Sequence, residues 1–413
     1  MTTNTMSHAH LRSISLAAAA ALALPGNLAA QGTLAVPGPA GWRAFTTAFD
    51  HYAAGDSIVG ASVLMLRDGR VVARHEYGWG DRALRQRTDT NTIYHWASIT
   101  KTLTAVAIMQ LRDRGKLMLD DRITRYVPEL RQVHDPYGSM DDVTIRMLLS
   151  HAAGFQDPTW PYKQGKPWEP FEPTRWSQLV AMMPYQELLF PPGSRYSYSN
   201  PGFIYLARVI ERLTGDSWQT YIYKNLFGPL GITRSYFAAT PYYLAPYRSN
   251  NYYVERDSSG AEHVHANGRD FDPGITIPNG GWNAPLGDLV HWLSFLTGAT
   301  HGDSALAARD DIVLQRSSLE EMWRSRYLAT EPVATAPVAA DSMGMSFFIL
   351  WRHGARFVGH TGSQAGFRSF FYVDPRTRAG VVAAFNTSNV VDPDASAAGF
   401  RAVRDSALAL IAH

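Results

Sequence analysis

The chain of 413 residues contains no cysteine. This absence excludes a thiol nucleophile, disulfide bonds, cysteine-ligated zinc and lipid attachment through cysteine. The chain also lacks charge of one dominant sign, because 38 Lys and Arg nearly balance 36 Asp and Glu, for a formal net charge of +2. With no basic stripe, we expect no nucleic-acid partner. The fold must be held by packing, for which an apolar content of 46% is sufficient.

Signatures of several other enzyme classes are missing as well. The 14 histidines include no His-Glu-x-x-His motif, so we expect no catalytic metal and no cofactor. There is no G-x-S-x-G nucleophile elbow of the kind that α/β-hydrolases carry. Residues 359–362 are glycine-rich but lack the context of a phosphate-binding loop. His151 is interpreted as a structural hydrogen-bonding residue.

The longest apolar run lies near the N-terminus, from Ile14 to Leu24. Weak positive charge precedes the run, and Pro25-Gly26 and small residues follow it, as in an export signal. We therefore expect residues 1–30 to be a signal peptide and residues 31–41 a linker. The mature protein would be periplasmic or secreted, without stable membrane insertion. An uncleaved membrane anchor is the alternative, because Leu28 is not small.

Hydrophobic periodicity divides the remaining chain into two kinds of segment. Residues 42–97 and 275–413 read mainly as strands, with a hairpin at Asp68-Gly69 and a terminal helix over 397–411. Residues 98–274 read as mostly helical with long loops, although residues 241–280 resist assignment. The predicted fold class is α/β (α+β): an antiparallel sheet flanked by helices, built from N- and C-terminal segments, with an inserted helical region.

Ser98-x-x-Lys101 is the first candidate for chemistry, at the start of an apolar helical pattern. Residues three apart share a helix face, so the hydroxyl and the amine can touch. Burial of a lysine favours its neutral form, which can accept a proton from the serine and so activate it. The alternative is structural, with Ser98 as an N-cap and Lys101 as a solvated first-turn residue.

Two later motifs add weight to the catalytic interpretation. Tyr198 offers a phenol that could pass a proton, and Asn200 offers a donor and an acceptor to a substrate amide. Farther on, the glycine-flanked segment at residues 359–363 joins two strand patterns. Backbone N–H groups at such an edge can hold a developing oxyanion. The alternatives are a packed aromatic loop and a glycine-rich hairpin without chemistry.

In this order and spacing, Ser98-x-x-Lys101, Tyr198-x-Asn200 and the segment His360-Thr361-Gly362 resemble a known set of motifs. They are similar to those of the serine β-lactamase and penicillin-binding protein superfamily, in its class C β-lactamase-like branch with esterase and D-peptidase relatives. The resemblance covers roughly residues 40–410. It implies that Ser98 is the acylated nucleophile, that Lys101 activates it, and that Tyr198 shuttles the proton and activates the deacylating water.

The resemblance also implies a set of groups that bind the substrate. The backbone N–H groups of Ser98 and Ser363 would form the oxyanion hole. The residues that would contact substrate are Asn200, His360, Thr361, Gly362 and Ser363.

One departure from the family pattern bears on the substrate. His360 stands where true β-lactamases usually carry lysine, and a histidine is mostly neutral near pH 7. Family members with this variant of the third motif are commonly esterases or D-amino-acid amide and peptide hydrolases, so the resemblance implies a serine hydrolase for carboxylic esters or D-amino-acid amides and peptides. A class C-type β-lactamase or DD-peptidase remains an alternative, as does a non-catalytic peptidoglycan-binding relative. Arg368 could supply a replacement cation, although a solvated strand position is the favoured interpretation.

Overall fold

A β-hairpin near the N-terminus forms part of a large sheet. In the computed structural model, which describes residues 38–155, 162–163, 166–167, 173–299, 303–329 and 340–412, its strands are Gly60–Arg67 (β1) and Arg70–Asp81 (β2). The connecting Asp68 and Gly69 have φ angles of 49° and 71°. Two positive φ angles suit a two-residue hairpin turn, and the hairpin predicted from this dipeptide is confirmed.

The remaining elements follow in chain order. The other strands are Gln86–Arg87 (β3), Ile93–Ala97 (β4), Tyr162–Lys163 (β5), Lys166–Pro167 (β6), Asn251–Arg256 (β7), Glu262–Gly268 (β8), Trp282–Pro285 (β9), Tyr327–Leu328 (β10), Ser342–Met343 (β11), Phe348–Arg352 (β12), Ala355–Gln364 (β13), Phe367–Asp374 (β14), Ala379–Phe385 (β15) and Thr387–Asn389 (β16). The α-helices are Trp42–Gly55 (α1), Thr100–Asp113 (α2), Ile145–Leu149 (α3), Trp176–Met182 (α4), Pro201–Thr214 (α5), Trp218–Ile222 (α6), Gly228–Leu230 (α7), Ile277–Gly280 (α8), Leu286–Thr297 (α9), Ser304–Val313 (α10), Arg316–Met322 (α11) and Pro393–Ile411 (α12). Short 3₁₀ turns lie at Ile123–Arg125, Pro128–Gln132, Met140–Asp142, Met183–Tyr185, Ala245–Tyr247 and Gly274–Thr276, and Tyr223–Phe227 is a π-helical turn.

Both ends of the chain contribute to one nine-stranded sheet. Its strand order is β10-β11-β12-β13-β14-β15-β1-β2-β3, and its neighbouring strands pair antiparallel. The first strand of the chain therefore lies between its hairpin partner and β15, where Ala61 pairs with Phe385. This arrangement confirms the predicted fold class. Pro37–His413 clusters into one compact unit, and the division at residues 97 and 275 stays a prediction.

Helices cover the sheet on two sides. Helices α1 and α12 pack on one face, over an apolar cluster that includes Val63, Phe370 and Phe400. The other face carries α9 and a larger cluster around α2, whose residues 100–111 are all buried. A helix that is buried all round belongs to a core, so α2 is a rigid base for the residues at its N-terminus.

The structure also differs from the sequence-based expectations in places. Residues 241–280, which resist assignment from sequence, contain the hairpin β7–β8, and β7 pairs in parallel with the distant strand β16. Helix α12 begins at Pro393, earlier than expected, with the Asp392 carboxylate accepting the Ala395 N–H at its start. Helices α10 and α11 were not predicted. The predicted signal peptide lies outside the described residues, within which no helix has the length and apolarity to span a membrane.

Candidate active site

Ser98 lies in a tight turn between β4 and α2. The preceding Ala97 has a φ of 49°, in the left-handed region that residues other than glycine rarely adopt. Thr100 holds the turn, because its hydroxyl donates to the Ala97 carbonyl (2.6 Å) and accepts the Trp282 N–H of β9 (2.9 Å). The serine is half-buried at the start of a buried helix, where its hydroxyl is fixed but not enclosed.

Lys101 is fully buried, and its Nζ contacts three acceptors. Nζ donates to Ser98 Oγ at 3.0 Å, to Asn200 Oδ1 at 2.7 Å and to the Asn279 carbonyl oxygen at 2.8 Å. The two carbonyl oxygens can only accept, whereas the serine hydroxyl can donate or accept. A neutral amine therefore fits as well as an ammonium ion, with its lone pair toward the serine O–H. Lys101 can take the serine proton, and the solvated alternative is wrong.

Tyr198 lies beside the lysine and is held by a histidine. The Lys101 Nζ is 4.9 Å from the Tyr198 ring centroid. The His151 ring stacks on the Tyr198 ring at 4.3 Å and 25°, and its Nδ1 accepts the Ser199 N–H at 3.0 Å. Burial, and then the nearby Lys101 charge, hold the pKa of His151 well below its ordinary value. His151 is therefore a neutral structural residue, as predicted, but its contact with Tyr198 was not foreseen.

Asn200 is bound into the same network. Its Oδ1 accepts from Lys101 and also from the Asn279 side-chain amide at 3.1 Å. Asn279 thus contacts both partners, through its carbonyl and through its side chain. Sequence reasoning missed this residue, because it lies in the range that resists assignment and carries no motif. The Asn200 Oδ1 is thus engaged in this network, which fixes the side chain beside Lys101.

The third motif runs along β13 directly against the nucleophile turn. A Cβ at Gly362 would lie 2.1 Å from the Trp96 carbonyl oxygen and 2.7 Å from Ser369 Oγ. Only glycine permits this approach of β13 to β4. Thr361 is buried, whereas Ser363 is exposed at the end of the strand. Because Trp96 is two residues before Ser98, the third motif packs against the strand that leads into the nucleophile turn.

His360 is fully buried on the same strand. Its Nδ1 lies 2.6 Å from the Thr361 carbonyl oxygen, which can only accept, so Nδ1 carries the proton. Burial and the Lys101 charge lower its pKa to about 3. His360 is therefore uncharged at neutral pH and offers no cation to a substrate carboxylate.

Arg368 does not supply that cation either, and the interpretation as a solvated residue is also wrong. The side chain is buried on the side of the sheet covered by α1 and α12. Its Nη1 donates to Ser396 Oγ at 2.5 Å and lies 3.6 Å from the Asp56 carboxylate. The arginine therefore belongs to a structural ion pair and not to the site.

The geometry thus collects a hydroxyl, an amine and a phenol, with an exposed strand end beside them. Within the described ranges, no cluster of three or more His, Asp or Glu is arranged to hold a metal ion. The family model described as Beta-lactamase matches residues 45–405. The chain belongs to this family.

Curated relatives of this β-lactamase-family chain are distant. Protein flp of Staphylococcus aureus (strain COL) is 24% identical over 356 residues, which cover 84% of this chain and 63% of flp. Penicillin-binding protein 4* of Bacillus subtilis (strain 168) is 30% identical over 196 residues, covering 46% of this chain and 40% of that protein. The chain thus spans less than two thirds of the length of these relatives.

Solved structures of the same fold agree with the resemblance drawn from the motifs. An octameric penicillin-binding protein homologue from Pyrococcus abyssi has a TM-score of 0.68 and 26% identity, covering 88% of this chain and 77% of its own. The D-amino acid amidase of Ochrobactrum anthropi SV3 has a TM-score of 0.69 at 19% identity, covering 89% and 97%. A class C β-lactamase has a TM-score of 0.64 at 18% identity, covering 86% and 94%. At these identities the last two show the fold alone.

Proposed function

We propose that this β-lactamase-family protein is a serine hydrolase that acts through an acyl-enzyme on Ser98. The observation that carries the proposal is the 3.0 Å contact between Lys101 Nζ and Ser98 Oγ, within a network that also fits a neutral amine. A serine needs such a base to become a nucleophile. Family membership adds support for hydrolase chemistry.

The proposed reaction has two balanced halves. Ser98 Oγ attacks the substrate carbonyl carbon while its proton passes to Lys101, and the oxyanion is held by the backbone N–H groups of Ser98 and Ser363. The bond to the leaving group then breaks, and Tyr198 delivers the proton to the departing oxygen or nitrogen. In the second half, a water loses its proton to the Tyr198 phenolate and attacks the acyl carbon. The bond from that carbon to Ser98 Oγ then breaks, and Lys101 returns its proton to Oγ, which releases the acid and restores Ser98 and Lys101.

We propose carboxylic esters or D-amino-acid amides and peptides as the substrates. The neutral His360 is the reason, because a substrate whose binding depends on a carboxylate finds no cation at this position. One solved structure of the same fold is a D-amino acid amidase, which is consistent with the second class. Asn200, Thr361, Gly362 and Ser363 would bind the substrate.

Intact-mass measurement during incubation with p-nitrophenyl acetate tests the proposal. We expect an increase of one acetyl group in wild-type protein and none in Ser98→Ala. Absence of both an adduct and turnover would overturn the proposal, as would an adduct that persists in Ser98→Ala. Tight binding of peptidoglycan fragments without turnover would instead favour the non-catalytic alternative.

A β-lactamase or DD-peptidase activity is the second candidate, which the similarity to a class C β-lactamase fold supports. Hydrolysis of a chromogenic cephalosporin, compared with hydrolysis of an ester, distinguishes the two candidate functions. Fast cephalosporin turnover with poor ester hydrolysis would favour the second candidate, and the reverse result would favour the first.

Residues 1–30 carry a separate proposal, that the protein is exported to the periplasm or secreted. The apolar run and the small residues after it support this proposal. Fractionation of the producing cells, with N-terminal sequencing of the mature chain, is the measurement. A cytoplasmic protein with an intact N-terminus would contradict it.

A further inference from the structure

His95 is a buried polar residue that the proposed mechanism does not use. It lies on β4, three residues before Ser98, with 1% of its surface exposed. Its Nδ1 is 2.9 Å from Asn283 Oδ1 on β9, and its Nε2 is 3.1 Å from Gln364 Oε1 on β13. One imidazole thus joins three strands at the point where they meet the nucleophile turn.

The neighbours of His95 decide which of its nitrogens carries the proton. The Asn283 side-chain nitrogen donates to the carbonyls of Gly281 (3.1 Å) and Tyr236 (3.4 Å), so its Oδ1 is the acceptor for His95 Nδ1–H. Burial, and then the Arg248 charge, lower the pKa of His95 to about 4, so the ring is neutral near pH 7. A neutral ring protonated at Nδ1 accepts at Nε2, so the Gln364 amide must be turned to face that nitrogen with its NH₂ group in place of Oε1.

Aromatic rings restrict the imidazole from two sides. The ring of Phe271 meets it edge-on at 4.7 Å, and the ring of Phe367, at the start of β14, lies 6.0 Å away. This packing restricts the orientation of the imidazole, so its two hydrogen bonds link β4 to β9 and to β13 at a defined spacing.

Gln364 connects His95 to two parts of the proposed active site, the oxyanion hole and the surroundings of Lys101. It directly follows Ser363, whose backbone N–H belongs to the proposed oxyanion hole. Its side chain also lies against α8, where a Cβ at Gly280 would be 2.6 Å from the amide. The residue before that glycine is Asn279, whose carbonyl accepts from Lys101 Nζ. A displaced Gln364 would therefore disturb the strand that carries the oxyanion donor.

We propose that His95 is a positioning residue, which holds the Ser363 N–H in register with Ser98 through its contact with Gln364. The inference rests on the proposed acyl-Ser98 chemistry. It predicts that His95 contributes to the transition state, where the oxyanion is bound, and little to binding of the substrate itself.

Three replacements at His95 separate its two hydrogen bonds. His95→Phe keeps a ring and removes both. His95→Gln places an amide near the Nε2 position and preserves the contact with Gln364, whereas His95→Asn preserves the contact with Asn283. We expect His95→Phe and His95→Asn to lower kcat about tenfold or more with KM nearly unchanged, and His95→Gln to recover most of the rate.

The ratio of activity on an ester to activity on its thionoester reports on the oxyanion hole, and a general loss of packing would not change this ratio. Sulfur accepts hydrogen bonds weakly, so a working oxyanion hole favours a p-nitrophenyl ester over its thionoester. We expect this oxo-to-thiono preference to fall several-fold in His95→Phe and to return in His95→Gln. The matched control is His75→Phe, because His75 on β2 is half-buried and contacts Asp50 of α1 (2.6 Å). This variant should leave the preference unchanged.

The outcomes are distinguishable from those of the proposed function. If wild-type protein shows neither adduct nor turnover, the acyl-enzyme proposal itself fails. If wild type is active and a folded His95→Phe keeps both kcat and the thiono preference within about twofold, the inference about His95 is wrong. Should His95→Phe fail to fold, Gln364→Leu takes its place and the same loss is expected. In the double variant His95→Phe/Gln364→Leu, the loss of kcat should be smaller than the sum of the two single losses, expressed as free energies. Full additivity would overturn the inference.

Discussion

Two buried cations lie on opposite sides of the sheet, and they are held in different ways. Arg368 lies 3.6 Å from the Asp56 carboxylate, with Ser396 completing the contact. Lys101 donates to a hydroxyl and two carbonyl oxygens, each of them uncharged. A buried carboxylate requires its partner to stay charged, whereas neutral acceptors also suit an amine that has lost a proton. The comparison separates a cation that supports the fold from one that can react.

The largest effect is expected from the structural cation. Replacing Arg368 with leucine leaves the buried Asp56 carboxylate without a cation and with only the Tyr52 and Ser396 hydroxyls as donors. This should lower the free energy of unfolding by about 3–5 kcal/mol. Urea unfolding measures this loss, while kcat of the folded fraction should stay near wild type. The double variant Arg368→Leu/Asp56→Asn should recover much of the stability, and a double variant as unstable as the single one would contradict the ion-pair account.

Replacing Lys101 should have the opposite effect, with a large loss of kcat and a small loss of stability. Lys101→Met removes the base, and we expect kcat for p-nitrophenyl acetate to fall at least about a hundredfold, or roughly 2.7 kcal/mol. Stability should change little in comparison with Arg368→Leu. Near-wild-type turnover would remove Lys101 from the mechanism and erase the distinction between the two cations.

Tyr198→Phe tests the partner of the lysine. The substitution keeps the ring stacked on His151 and removes only the phenolic O–H, so the fold should be unaffected. We expect kcat to fall about a hundredfold, with accumulation of the acyl-enzyme if deacylation is the slower step. Steady-state rates and intact mass on the same samples provide the measurement. An unchanged kcat would exclude the phenol as proton carrier.

Buried neutral histidines near Lys101 predict a pH dependence of stability. The folded-state pKa values of His151 and His360 are lowered, the latter to about 3. Below pH about 6.5 the unfolded chain binds protons that the folded chain does not, so stability decreases as pH falls, by about 1.4 kcal/mol per pH unit for each histidine. Urea unfolding at pH 7, 6 and 5 should show a smaller decrease in His360→Gln. The exposed His353→Gln is the control, and equal slopes in all three proteins would contradict this account.

The smallest effect concerns selectivity. His360→Lys places an ammonium group in the third motif, and we expect activity on a carboxylate-bearing ester, relative to a neutral ester, to rise about fivefold, or roughly 1 kcal/mol. The measured quantity is the ratio of the two activities, because a second cation near Lys101 would change the rate for both esters and the ratio removes this shared effect. An unchanged ratio would show that the neutral histidine does not set the preference.

Local patterns predicted part of this structure and long-range contacts decided the rest. The Asp68-Gly69 turn could be predicted because the turn chemistry is contained in two residues. The parallel pairing of β7 with β16 could not, since its partners are more than a hundred residues apart. Burial of Arg368 was equally hidden, because β14 is buried on both faces and shows no alternation of polar and apolar residues.

In the candidate site, too, local contacts could be predicted and long-range contacts could not. Ser98 lies in the turn that leads into α2 and Lys101 in the first turn of that helix, so their three-residue spacing was enough to predict the contact. Asn279 and His151 enter the site only through the tertiary fold, the first with its backbone carbonyl and the second with its ring face. The sequence indicated a hydrogen-bonding role for His151, but neither the stacking of its ring on Tyr198 nor the approach of the Asn279 carbonyl to Lys101 could be predicted from it.

The missing side chain at position 362 has a consequence for protein engineering. Because a single methyl group there would collide with the Trp96 carbonyl, libraries that randomise the third motif should return glycine alone at this position. The exposed neighbour Ser363 can change its side chain while keeping the backbone amide. Redesign of the substrate range should therefore begin at 363 and leave 362 untouched.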